Sequence, residues 1–345
     1  MSPTNSAAWL TAEKANPLEV KTAPYTPPGE NEIVIKNRAI ALNAVDYARQ
    51  DLGSALFPWT THPAVLGTDV AGEVVEVGSG TIASSRFKIG DRVLGMGSEL
   101  KNNTPAEGAF QSYVVLQAQL ASPIPSSLSF EKAAVVPLGI STASCGLFQK
   151  DYLALQFPTV PRASSTGQTI LIWSGSSSVG SNAIQLAIAA GYEVVTTASP
   201  KNFDFVKSLG AKYVFDYNSA TVVDDIVAVF SGKTGAGALA IGVTAADPCG
   251  EIVARISGRK FVSLANPPSK PLPPGVDSKF IFGGDLKDNE VGLAIFDAFL
   301  PKALAEGSFK TSPDEEVVGE GLESVQQGLN VLKKGVSAKK LVIRL

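Results

Sequence analysis

The residues of this chain best suited to chemistry sit in one short turn, Gly175, Ser176, Ser177, Ser178 and Gly180. It lies between an apolar run, Ile170 to Trp173, and a helical pattern carrying Val179, Ala183, Leu186, Ala187 and Ala190. So little side-chain bulk lets backbone N–H groups approach a pyrophosphate at the positive end of a helix. Serines stand where the usual fingerprint has further glycines. Glu193 to Ala198 then reads as a second strand and completes a β-α-β unit. Where a dinucleotide fold places the acid that grips an NAD ribose, the chain reads Ser199-Pro200-Lys201-Asn202. A hydroxyl and an ammonium attract a 2′-phosphate that a carboxylate would repel, and Tyr217, after the next strand, can close over it. These residues favour NADPH over NADH. The plainer reading makes Ser199 a helix cap and Lys201 a solvated charge, and the two readings are compatible.

Scarcity is as informative as presence. One histidine, His62, and two distant cysteines, Cys145 and Cys249, cannot assemble an imidazole- and thiolate-rich zinc site. Carboxylates alone would not favour zinc, so metal-free chemistry is expected. His62 precedes Pro63 in a turn-like setting and reads as a surface residue. Two cysteines give no disulfide framework and fit a reducing compartment. Of the 345 residues 45% are apolar and 18% charged, with a formal charge of −3, which excludes a disordered chain or one steered to nucleic acid or acidic membranes. No apolar run approaches a membrane span, and the polar start, Met1 to Ser6, does not read as a signal peptide. A cytoplasmic protein is expected.

The elements that must position these residues fall into two patterns. Residues 7 to about 125 read as short strands broken by turns, without helical periodicity, and suggest a small closed or nearly closed β-barrel. Glu32 to Leu42, Asp69 to Gly78 and Gly90 to Gly95 are the clearest pieces. A helical stretch runs from Glu131 to about Leu155, followed by a loop from Phe157 to Gly167. From Thr169 strands and helices alternate, with strands at 213–215, 237–243 and 260–265 and helices at 221–230 and 248–256, which gives an open, doubly wound parallel sheet. Asn266 to Gly275, rich in proline, reads as a surface loop, Phe280 to Gly284 as one more strand and Asn289 to Glu306 as a helix. Leu322, Val325, Leu329 and Leu332 mark one face of another helix. Val336 to Leu345 contains a strand able to rejoin the barrel.

This layout resembles the zinc-independent medium-chain dehydrogenase/reductases over nearly the whole chain. The anchors are Ala41 to Asp46 (ALNAVD), Leu66 to Val74 (LGTDVAGEV), Phe87 to Val93 (FKIGDRV), Gly108 to Val114 (GAFQSYV) and Val336 to Val342 (VSAKKLV). The turn at Ser174 to Gly180 and the stretch Ser199 to Ala211 look most like fungal members, among them trans-acting enoyl reductases that serve polyketide synthases. The resemblance implies a GroES-like β-barrel catalytic domain over residues 1–125, a Rossmann-type NADPH-binding domain over 126–285 and a return to the catalytic domain over 286–345. In zinc-dependent relatives a histidine-glutamate pair stands at the position of Thr68-Asp69. The resemblance also puts Asn43 and Asp46 beside the nicotinamide ribose with Val336 and Ser337 near them, Thr142 against the nicotinamide face, and Leu264 and Ala265 at its carboxamide. Pro137, Gly139 and the segment Phe280, Ile281, Phe282, Gly283 would line a substrate cavity. From the residues alone, Asn43 and Asp46 could equally bond a turn, and Phe280 and Phe282 could be core.

The resemblance implies NADPH-dependent reduction of an activated C=C bond, without a metal. Some members carry a tyrosine proton donor downstream of the Asn-Asp motif; Gln50 to Phe57 has none, leaving Tyr47 or solvent as the acid. A quinone reductase on the same scaffold, or a non-catalytic NADPH-binding partner of a biosynthetic complex, are the alternatives. The expected partner is a small enone or a carrier-bound enoyl group, with a polyketide synthase as a possible protein partner and neither nucleic acid nor membrane. The family forms monomers and homodimers, the latter through the strand matching Phe280 to Phe282.

Overall fold

The computed structural model describes residues 3–345, so the first two residues of the N-terminal stretch read above lie outside it. Along the chain come β1 (Asn5–Leu10), β2 (Glu19–Ala23), β3 (Glu32–Ala41), α1 (Ala44–Leu52), β4 (Ala64–Val65), β5 (Asp69–Val77), α2 (Thr81–Arg86), β6 (Arg92–Met96), α3 (Glu99–Asn102), β7 (Tyr113–Gln117), β8 (Ala121–Pro123), α4 (Phe130–Ala134) and α5 (Pro137–Phe148). There follow β9 (Gln168–Ile172), α6 (Ser178–Ala189), β10 (Glu193–Ala198), α7 (Phe203–Ser208), β11 (Tyr213–Asp216), α8 (Val222–Val229), β12 (Thr234–Ala240), α9 (Ala246–Arg255), β13 (Phe261–Leu264), β14 (Asp277–Phe280), α10 (Glu290–Leu293), α11 (Leu300–Ala305), β15 (Asp314–Glu320), α12 (Val325–Lys333) and β16 (Lys339–Arg344).

Contacts divide the chain into two compact units. The first holds the residues up to Leu138 together with Asp314–Leu345, the second Gly139–Pro313. Both borders lie further along the chain than 125 and 285, and residues 286–313, expected to return with the C-terminus, group with the second unit. In the first unit a seven-stranded sheet runs β15-β16-β3-β5-β6-β8 with β7 on β3, beside a three-stranded sheet β2-β1-β4. Its interior is filled by Ile33, Ile35, Ile40, Val70, Leu116, Phe110 and Leu341, all shut off from solvent. β16 rejoins this sheet antiparallel to β3, as the closing apolar run suggested.

The second unit is a six-stranded parallel sheet in the order β11-β10-β9-β12-β13-β14. Counted from β9 this is 3-2-1-4-5-6, the doubly wound order in which ligands bind at the carboxyl ends of the strands. The strands β9 and β10 are almost wholly buried, which is why they read as continuous apolar runs.

Four expectations shift. Residues 7–125 contain the nine-residue helix α1; its buried face is Asp46, Arg49 and Gln50, so it shows no apolar periodicity. The last parallel strand is Asp277–Phe280 rather than 280–284; all four residues are exposed at the sheet edge, and no apolar run marks it. β12 begins at Thr234, with a register shift between Gly235 and Ala238 where Gly237 takes φ 97°. The helical stretch from 131 breaks before Pro137, which cannot continue α4, and ends at Phe148. The edge strand β15 is acidic, and no apolar alternation marks it. Among the described residues no helix is long and apolar enough to cross a membrane.

Candidate active site

The small-residue turn is built by its own serines. Ser174 adopts φ 65°, a left-handed conformation uncommon for a residue with a side chain, and is held there from both sides. Its N–H donates to Thr197 Oγ1 at 3.0 Å, and its hydroxyl donates to the Ile241 carbonyl at 2.8 Å. Ser177 Oγ donates to the Ser174 carbonyl at 2.8 Å and accepts the Gly180 N–H at 3.0 Å, capping α6. A Cβ on Gly180 would run into the Ser174 carbonyl and stand 2.8 Å from Gly175 Cα, while one on Gly175 would strike Thr196 and Ile184. The glycines therefore persist where no side chain fits, and serine suffices elsewhere.

The N–H groups of Gly175 and Ser177 are spent on the Thr197 and Ser174 carbonyls. Those of Ser176, Ser178 and Val179 have no acceptor among the described residues and stand at the positive end of a twelve-residue helix. This is a fitting seat for a pyrophosphate. Beside it, Asn202 Nδ2 donates to Ser199 Oγ at 3.1 Å and Ser176 Oγ at 3.4 Å, so the second loop is tied to the first. Ser199 thus engages Asn202 and makes no side-chain cap to the helical turn after it. Ala198 and Asp216 are register partners, so Ser199 and Tyr217 leave adjacent strands at the same level. Lys201 is exposed and Tyr217 is 44% exposed. Asp216, beside Tyr217, turns to its own loop and accepts the Asn218 N–H at 2.9 Å, and Asp204 lies in the first turn of α7 just after Asn202.

In the same unit α5 lies along the segment 280–283. A Cβ on Gly283 would stand 3.1 Å from Thr142 Oγ1, and Tyr152 donates to the Phe280 carbonyl at 2.8 Å. The Ile281 N–H donates to the Leu264 carbonyl at 2.8 Å, and Ala265 continues β13 with its N–H on Ala240. The structure therefore brings Thr142, Leu264, Ala265 and Phe280 to Gly283 together. Phe280 is 49% exposed and is not core; the buried member of the segment is Ile281. Gly139 and Pro137 are buried, and Gly139 is the point where α5 meets α6: a Cβ there would lie 2.6 Å from Ser178 Oγ. Helix packing, rather than a cavity wall, explains that glycine.

The first unit holds a buried polar cluster. Lys340 Nζ is 2.7 Å from Asp69 Oδ2, with the two side chains 5% and 0% exposed, and it also donates to Asn43 Oδ1. Asn43 Nδ2 donates to Asp69 Oδ2 at 2.9 Å and Thr68 Oγ1 at 3.1 Å. The Asn43 N–H donates to Asp46 Oδ2 at 2.7 Å, and the other Asp69 oxygen accepts the Leu138 N–H. Burial pushes the Asp46 carboxyl up to about 7 against the Asn43 bond, with the Asp69 charge adding to the rise and Lys340 and Arg49 opposing it. Asn43 and Asp46 thus bond a turn, and Asn43 also joins the buried Lys340–Asp69 pair. Arg49 pairs with Glu99 in a second buried bridge. Tyr47 packs against the barrel core with Lys333 Nζ 5.9 Å from its ring centre, and its hydroxyl has no hydrogen-bond partner among the described residues. Val336 and Ser337 lie in the exposed turn before β16, between Gly335 and Ala338, both at positive φ.

Lys340 escaped the reading of functional residues, although a lysine inside the apolar run of a returning strand was its signal. Tyr152 gave no signal, because its partner is a backbone carbonyl. Cys145 and Cys249 are buried and burial raises both thiols, Cys145 to about 12, so neither is a nucleophile at neutral pH. His62, expected at the surface, is half-buried.

A doubly wound sheet with a small-residue turn at its first strand, joined in one chain to a β-barrel unit, defines a dinucleotide-dependent oxidoreductase scaffold. Residues 29–126 match the model of the alcohol dehydrogenase GroES-like domain, and residues 178–247 that of the zinc-binding dehydrogenases. The chain is 52% identical to "Dehydrogenase pigH" of Monascus ruber, covering 99% of this chain and 100% of the relative. It is 41% identical to "Trans-enoyl reductase himH" of Aspergillus japonicus over 99% of this chain and 97% of that one. A solved CurK enoyl reductase superposes with TM-score 0.76 at 20% identity, covering 99% of both chains. The chain belongs to the medium-chain dehydrogenase/reductase family, whose members are oxidoreductases using nicotinamide dinucleotides.

The zinc in the description of the zinc-binding dehydrogenases does not fit the residues present. Among the described residues no three histidine, cysteine, aspartate or glutamate side chains stand together as a ligand set. Thr68 accepts from Asn43, and both oxygens of Asp69 are occupied by Lys340, Asn43 and Leu138.

Proposed function

We propose that the protein reduces the C=C bond of an α,β-unsaturated carbonyl compound with NADPH. The observation that supports the cofactor is the phosphate turn with a neighbouring loop of hydroxyl, amide and ammonium groups, Ser199, Asn202 and Lys201, at the end of the strand where the NAD-type fold carries an acid. The relative named a trans-enoyl reductase supports the reaction. NADPH when bound would supply hydride to the β-carbon. In this reading the free N–H groups of Ser176, Ser178 and Val179 hold the pyrophosphate, and Ser199, Lys201 and Tyr217 hold the 2′-phosphate. Thr142 offers a hydroxyl beside the segment that meets the substrate, and solvent protonates the α-carbon of the enolate. The acceptor is a small enone or an enoyl group on a carrier, handed over in the latter case by a polyketide synthase.

The test is transfer of deuterium from stereospecifically labelled NADPH to a panel of enones, with product deuteration at the β-carbon read by mass spectrometry. Absence of label in every product, with NADPH bound, overturns this reading.

A further inference from the structure

Strand β10 carries two threonines, Thr196 and Thr197, in an otherwise apolar interior, and both are fully buried. Valine has nearly the same shape and would spare the cost of drying a hydroxyl, so each hydroxyl needs a partner. Their side chains leave opposite faces of the sheet. Thr196 Oγ1 donates to the Ile172 carbonyl on the neighbouring strand at 2.6 Å. Thr197 serves the turn instead. Its Oγ1 accepts the Ser174 N–H at 3.0 Å, and its carbonyl accepts the Gly175 N–H at 2.8 Å.

Ser174 stands at φ 65°, a conformation in which glycine is at ease and a side chain is strained. The chain has no glycine at this place. Thr197 on the Ser174 N–H, and the Ile241 carbonyl on its hydroxyl, hold the conformation from the two sides of β9. The effect reaches the residues that follow. The N–H groups of Ser174 and Gly175 are drawn toward β10, that of Ser177 turns to the Ser174 carbonyl, and that of Gly180 turns to the Ser177 hydroxyl. The amides left without an acceptor among the described residues are those of Ser176, Ser178 and Val179.

We infer that Thr197 is a positioning residue for the dinucleotide: its hydroxyl fixes Ser174 in the left-handed conformation and thereby aims the free amides of the turn at the pyrophosphate. The inference rests on the reading of that turn as the pyrophosphate seat. Thr197 is shut off from solvent and acts only through Ser174 and Gly175.

The experiment compares wild type, Thr197→Val, Thr197→Ser and, as a control, Thr169→Val, by titration calorimetry with NADPH and with NADH. Thr169, 2% exposed, lies at the other end of β9, where its hydroxyl donates to Glu193 Oε1 at 3.2 Å. Thr197→Val should raise both dissociation constants about fivefold to tenfold, the scale of one hydrogen bond, and by the same factor, because the two cofactors share the pyrophosphate. Thr197→Ser keeps the acceptor and should bind within about twofold of wild type. Thr169→Val should lower the melting temperature and leave both constants in place. Unchanged constants in Thr197→Val, a loss confined to one cofactor, no rescue by serine, or an equal loss in Thr169→Val overturns the assignment. Should Thr197→Val fail to fold, Thr197→Cys, with a weakly accepting sulfur in the same place, must show the shared rise. A wild type that binds neither cofactor refutes the parent reading; one that binds NADPH, with Thr197→Val binding as tightly, refutes this inference alone.

Discussion

Replacing Lys340 by methionine keeps the length of the side chain and removes its charge. Asp69, fully buried, would then lose a partner 2.7 Å away, and Asn43 Oδ1 would lose its donor. At an effective dielectric of about 20 the gross attraction at that distance is about 6 kcal/mol, and most of it offsets the cost of drying both ions. What the variant suffers is mainly the unpaired carboxylate, for which breaking one side of a buried pair costs about 3–5 kcal/mol. Against a typical total of about 5–15 kcal/mol this is a large loss. The assay is urea unfolding followed through the tryptophans; Trp9 and Trp59 lie in the unit that carries the pair, Trp173 in the other, so the drop in midpoint should appear in the signal of the first. Adding Asp69→Asn should restore most of the loss, since a neutral amide oxygen still accepts the Leu138 N–H. A single variant that loses less than about 1 kcal/mol, or a double variant no better than the single, would refute the view that an uncompensated charge sets the cost.

The titration of Asp46 gives a signed prediction. Its carboxyl is ordinary, near 3.8, in the unfolded chain and pushed up to about 7 in the folded one, so between these values the folded state holds the extra proton. Stability therefore falls as pH rises through that window, by about 1.4 kcal/mol per unit, and levels off above it; Asp46→Asn should flatten this slope in the difference between melting profiles, and parallel profiles would contradict it. Lys201→Ala should weaken NADPH by about 1–3 kcal/mol in titration calorimetry and leave NADH nearly unchanged, whereas equal losses would mean the 2′-phosphate lies elsewhere. Ser177→Leu removes the cap of α6 and crowds the turn, so binding of both cofactors should vanish; retained dissociation constants would sink the phosphate assignment.

Much of this architecture was legible because burial leaves long apolar runs. Strands β9 and β10 and the return of β16 to the barrel stood out in that way. The missed helix and edge strands share one property: their burial or pairing is polar. Helix α1 turns Asp46, Arg49 and Gln50 inward, and edge strands β14 and β15 carry Asp277, Lys279, Asp314, Glu315 and Glu316. Patterns of hydrophobicity are blind to such elements. At the candidate site the turn was visible from its small residues, but which amides stay free was not, because that depends on Ser174 and Thr197 meeting across two strands. Lys340 lies far from Asp69 in sequence, and only the sheet register joins them.

The serine bonds that shape the turn between β9 and α6 are all made within the chain, and this has a thermodynamic consequence. Ser174 and Ser177 lock the loop through contacts of their own, so the entropy of ordering it is already spent when the chain folds. A dinucleotide bound there need not supply the contacts that shape the loop, so less of its binding energy goes into ordering it.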